Sequence, residues 1–164
     1  MKNKLLSIAL LAITSFSFAQ TGRTLWKSTV KNPEAVTVAN KENILNPRLF
    51  SLDVNQLKQN LRTAPSRFAS NRSGIVVTFP NENGQLESFR VNESSNMAPE
   101  LAARYPDIKS YIGQGIENPA STIYFSISPL GFQSMVIKSD QSAVFIEPYT
   151  TDRSSYAVYR KSDK

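Results

Sequence analysis

Apolar residues in this chain recur mainly at every second position, and from Ser121 onward the alternation is nearly unbroken. STIYFSIS puts Ile123, Phe125 and Ile127 on one face, PLG turns, FQSMVIK follows, SDQS turns, and AVFIEPY and SYAVYRK complete the run. Period-two alternation marks half-buried strands, and connections of a few residues suit antiparallel neighbours. The pattern predicts a C-terminal β-meander. Upstream, RLFSL (residues 48 to 52) reads as a short strand, and Asp53 with Gln56 three residues later resembles a capping box. The helix it opens carries Val54, Leu57 and Leu61 on one face and is expected to end near Arg62.

A polar loop then leads into IVVTFP (75 to 80), a turn signal at NENG, and a return strand with Leu86, Phe89 and Val91 as its apolar positions. Pro99 suits the first turn of a helix over PELAARY, with Leu101, Ala102 and Tyr105 inward and Pro106 past its end. Extended structure resumes from Asp107 to Ile116. Residues 20 to 47 mix Lys, Asn, Thr and Pro around isolated Trp26, Val36 and Val38, and read as an extended, adaptable leader. The sum is an α+β fold: an antiparallel sheet of about seven strands with two short helices packed on one side.

The first 19 residues stand apart. Lys2 and Lys4 form a charged head, Leu5 to Ile13 is apolar, and Ser17-Phe18-Ala19 offers the small residues a signal peptidase reads. The apolar run is shorter than the roughly 20 residues a bilayer span needs. Cleavage after Ala19 is therefore expected, giving a product that is secreted or periplasmic with no membrane attachment. It would have 164 − 19 = 145 residues, enough for one domain with a substantial core. Its formal charge would fall from +6 to +4 with the two lysines. The basic excess lies before Ser73 and is scattered singly, without the runs or aromatic interleaving of a nucleic-acid surface, so nucleic acid is not an expected partner.

The chain has no Cys and no His. That excludes disulfides, thiolate metal sites, imidazole zinc ligands and every Ser-His or Cys-His catalytic arrangement. Carboxylate pairs remain, but Glu82, Glu87, Glu93 and Glu100 fall on a turn, a strand and a helix start and read as solvated surface charge. Lys138 beside Ser139 and Ser142 is a formal Ser-Lys option, without the elbow that would expose a nucleophile. Gly113-Gln114-Gly115 lacks the third glycine of a dinucleotide fingerprint. It reads as a twist or bulge requiring positive φ or close approach of a partner. Tyrosines 105, 111, 124, 149, 156 and 159 suit either cross-strand packing or a binding face.

In order, RLFSLDVNQLKQNL, then IVVTFPNENGQLESFRVNESSNMAPELAARYPDIKSYIGQGIENP, then SPLGFQSMVI and FIEPY resemble the N-terminal propeptide region of secreted bacterial reprolysin-like zinc metallopeptidases, which are metzincins. The likeness runs from about Arg48 to Arg160. Its most specific part is Phe89 through Gly115, where F-x-V-x-E-S, M-A-P-E-L and Y-P-x-I-x-x-Y-x-G-x-G keep their order. The resemblance implies a folded pro-region at 48 to 161 and a linker starting at 162 to 164, with a metallopeptidase domain to follow. That domain would supply the zinc and the H-E-x-x-H-x-x-G-x-x-H motif. The expected partners are that domain, signal peptidase and a processing protease; the expected role is latency and folding assistance, with no catalytic residue and no cofactor in this chain. Tyr105, Pro106, Ile108, Tyr111, Gly113 and Gly115 are the candidate contact or structural motif, and Ala19, Arg160 and Lys161 the candidate processing positions. Without a cysteine the cleft would be blocked by strand addition or by a carboxylate such as Asp152 or Asp163. The alternative is a stand-alone exported module binding glycan or peptide through Tyr111, Tyr124 and Tyr156.

Overall fold

Phe79, Phe89, Phe125 and Phe132 come from four different strands and converge, with Phe79 centred 5.1 Å from Phe125 and 5.8 Å from Phe132. The computed structural model that shows this describes residues 24–69, 73–95 and 97–164. The expected signal segment and Ala19 lie outside the described residues. Nine strands make one antiparallel sheet: β1 (Trp26–Ser28), β2 (Arg48–Leu52), β3 (Ile75–Pro80), β4 (Leu86–Glu93), β5 (Lys109–Gly115), β6 (Thr122–Ser128), β7 (Gly131–Ile137), β8 (Ala143–Pro148) and β9 (Tyr156–Arg160). Their order is β1-β2-β9-β8-β7-β6-β5-β4-β3. The count of about seven strands falls short of nine; the segments read as extended correspond to β2 through β9 and miss β1, and serial antiparallel order begins at β3 rather than at Ser121.

The sheet curls almost into a barrel. Its two edges, β1 and β3, face each other, and the Trp26 indole N–H donates across the seam to the Thr78 carbonyl at 3.0 Å. Arg48 of β2 spans the same gap, donating from Nε to the Glu82 carbonyl at 3.0 Å. Trp26 is 2 % exposed and meets Phe132 and Tyr156 edge-on at 5.4 and 5.9 Å. Such edge-to-face aromatic contacts add about 0.5–1.5 kcal/mol each beyond area burial.

From residue 24 on, the supposed leader therefore packs with the sheet. Beyond β1, Thr37 bridges Thr150, Val38 N–H donates to the Tyr149 carbonyl, and Ile44 is buried against Ala157 and Tyr159. Nothing separates residues 24–47 from the sheet at Arg48.

Helix α1 (Val54–Leu61) forms as its sequence predicts. Asp53 caps it by accepting from Gln56 N–H at 2.9 Å, and Leu57 and Leu61 enter the core. Helix α2 (Pro99–Arg104) does not match its expectation. It buries no residue; Leu101 and Tyr105, expected inward, are 43 % and 48 % exposed. Only α1 sends buried side chains into the core; α2 is a solvent-exposed turn and a half between β4 and β5. Among the described residues no helix is long and apolar enough to cross a membrane.

Candidate functional site

The residues of Y-P-x-I-x-x-Y-x-G-x-G serve the architecture. Tyr105 caps α2, its N–H donating to the Leu101 carbonyl, and its own carbonyl accepts from Ile108 N–H. Pro106, exposed beyond it, keeps the helix from continuing. Tyr111 is buried in β5 and stacks on Phe125 at 4.8 Å; burial, with the Glu93 charge, pushes its phenol up to about 12. Gly113 and Gly115 sit in regular ladder register rather than in a bulge, and neither has positive φ. What they supply is space. A Cβ on Gly113 would stand 2.9 Å from Ile123 Cγ2 and 3.0 Å from Val91 Cγ2. One on Gly115 would stand 2.3 Å from the Asn118 carbonyl oxygen.

Of the three tyrosines proposed as a binding face, two are in the core: Tyr111, and Tyr156, whose phenol burial also raises. Tyr124 alone points outward, at 44 % exposure. It belongs to a row that the register builds across five strands on the outer face: Ile112, Tyr124, Met135, Phe145 and Tyr159, each paired with the next. A second row, Ser110 paired with Ser126 and Ser126 with Gln133, runs beside it. Between them lies a groove of about 350 Å³, lined by Tyr124, Ser126, Gln133, Met135, Phe145 and Glu147 among others. Apolar floor and polar margin together are the composition of a binding surface.

The row's far end is closed. Phe145 stacks on Tyr159 at 5.6 Å. The Lys41 ammonium lies 5.4 Å over the Tyr159 ring and bonds to the Glu147 carboxylate. The Tyr159 hydroxyl donates to the same oxygen, Oε2. Burial and the neighbouring Lys164 ammonium lower the Lys41 pKa despite its carboxylate partner, and burial raises that of Tyr159.

Glu82 and Glu87 are not simply solvated charge. The Lys138 ammonium sits between them, 3.4 Å from Glu82 Oε2 and 2.9 Å from Glu87 Oε1, and Arg160 reaches Glu82 Oε1 at 3.4 Å. This network ties the β3–β4 hairpin to β7–β8 and β9. It also disposes of the Ser-Lys option, because Lys138 is engaged by carboxylates and the Ser142 hydroxyl donates to Asp140. Glu93 pairs with Lys109 at 2.9 Å, and Glu100 is an exposed residue in the first turn of α2.

The C-terminal positions are also occupied locally. Asp152 accepts from Ser154 N–H and Oγ in the β8–β9 turn, and hydrogen bonds from Thr150 and Ser154 hold its carboxyl below the usual range. Residues expected to open a linker form a 3-10 turn (Lys161–Asp163) instead. Asp163 accepts from Arg160 N–H through its side chain and from Leu45 N–H through its carbonyl. Arg160 and Lys161 expose their side chains; Arg160 pairs with Val144 of β8 alone, since the β2 ladder ends at Val158, and Lys161 opens the 3-10 turn that Asp163 ties to Leu45. A processing protease needs an extended, accessible backbone, which this junction does not present while folded.

Among the described residues no group of three or more His, Cys, Asp or Glu is placed to hold a metal ion. Comparison of the chain with family models, with curated proteins and with solved structures gives no match in any of the three.

Proposed function

We propose that this chain is the pro-region of an exported reprolysin-like zinc metallopeptidase, keeping the protease latent and helping it fold until cleavage. One observation carries the reading: the run from Phe89 to Gly115 holds F-x-V-x-E-S, M-A-P-E-L and Y-P-x-I-x-x-Y-x-G-x-G in the order that resembles such pro-regions. In this reading zinc and the general base belong to the downstream domain, and this chain contributes binding alone. Covalent attachment sets an effective concentration of roughly millimolar, so a modest intrinsic affinity suffices for latency. Signal cleavage after Ala19 delivers the precursor outside the cytoplasm.

The reading frame beyond Lys164 tests this directly. An H-E-x-x-H-x-x-G-x-x-H motif in frame is the expected result, and a stop codon directly after Lys164 would overturn it. The groove beside Tyr124 favours a second reading, an exported module that binds glycan or peptide on its own, and a stop codon there would make this the better one.

A further inference from the structure

We infer that the uncovered part of the outer aromatic row, Ile112 to Phe145, is the surface that holds the metallopeptidase domain, by taking an extended segment of it bearing an apolar side chain. The inference rests on the pro-region reading.

The row itself shows what lies on this face. At Tyr159 it is already covered by a looped segment of the same chain, residues 37 to 45, whose turns lie against β8 and β9 there. They are held by the Thr37–Thr150 bridge, by Ile44 on Ala157 and Tyr159, and by Lys41 on Glu147. The open part continues the same row in the same register. A second segment laid beside the first would extend an interface that exists.

The chemistry of the open part fits such a segment. Met135 and Phe145 form a half-buried floor and Tyr124 a raised wall, a seat for one apolar side chain. Ser126 and Gln133 stand at the margin to bond its backbone. Both bonds to Glu147 fall on Oε2, which leaves Oε1 as a further acceptor. A sugar platform asks for flat exposed aromatic faces, and here only Tyr124 is largely exposed, so a peptide is the better occupant.

Position agrees with composition. Lys41 bonds Glu147 on the groove wall, and Ile44 packs on Tyr159. Asp163 is tied to Leu45. Polypeptide attached after Lys164 therefore starts beside the groove, which makes the tether short and its effective concentration high.

The test mixes the purified chain with the separately expressed downstream metallopeptidase domain and measures the inhibition constant against a fluorogenic peptide. Tyr124→Asp is expected to weaken inhibition about tenfold or more, as loss of an interface anchor does. Leu130→Asp, on the exposed β6–β7 turn, should stay within about twofold of the unaltered chain. Thermal melts show whether each variant is folded, and a photo-crosslinking residue at position 124 should capture the protease domain whatever the affinity. If the unaltered chain inhibits and Tyr124→Asp inhibits equally, with no crosslink, the surface assignment is wrong and the pro-region reading survives. If the unaltered chain does not inhibit, both fall. A glycan bound by the unaltered chain and lost in Tyr124→Asp, with inhibition intact, would assign the face to sugar and overturn the inference.

Discussion

Gly113 and Gly115 show at the residue scale what the conspicuous glycine pair accomplishes. Each admits a neighbour that a methyl group would displace: side chains for Gly113, backbone for Gly115. Gly113→Ala should cost about 1–3 kcal/mol, the usual penalty for overpacking. Gly115→Ala should cost more, since a carbonyl in a tight turn cannot swing aside as a side chain can. Urea unfolding of both variants checks the order. Tyr111 gives a second prediction. Its folded phenol titrates near 12, above the ordinary 10.0, so between these values the unfolded chain sheds the proton first. The contribution is intact below pH 10 and is lost as pH rises toward 12. Tyr156 and Tyr159 are shifted in the same direction. Alkaline unfolding should therefore steepen above pH 10, and Tyr111→Phe should flatten part of that slope in a melt series against pH.

The two helices make the element scale instructive, because they look alike in sequence and behave differently. Leu57→Ala in α1 should cost about 2–5 kcal/mol by opening a cavity in the core. Leu101→Ser in α2 should stay within about 0.5 kcal/mol, because that side chain is exposed. Thermal denaturation of the two variants separates them. Spacing alone suggested that both had an inward face, and for six residues at α2 it could not say whether anything lay opposite. Strands were easier to read, as in β6, where Thr122, Ser126 and Ser128 alternate with buried Ile123, Phe125 and Ile127. β1 was missed because three residues, WKS, carry no period; Trp26 is fixed by partners at positions 78, 132 and 156. The groove was out of reach for the same reason. Tyr124 was singled out, but Ile112, Met135 and Phe145 join it only through the register of neighbouring strands. Register likewise sends Tyr111 inward, opposite Phe125.

For the whole molecule, closure of the sheet governs access to its C-terminal end. Arg160–Lys161 carries the basic side chains a trypsin-like enzyme prefers, yet Arg160 is paired with Val144 of β8, and Asp163 ties the following turn to Leu45. Limited trypsin digestion of the native chain should leave this bond intact and cut it only under conditions that unfold the sheet. Mass spectrometry of the fragments decides; early cleavage at 160 or 161 would show that β9 frays from its neighbours.

The pairing of β2 with β9 joins Phe50 to Tyr156, so one of the first strands to leave the ribosome must wait for the last. Until Tyr156 emerges, Trp26 lacks one wall of its seat and the strand at 48 to 52 has an unpaired edge. Long-range pairing of this kind slows folding, and it prevents the chain from completing its fold before its far end is free. A polypeptide emerging from its N-terminus thus stays unfinished through its own topology, and acquires its final shape only once Tyr156 is free.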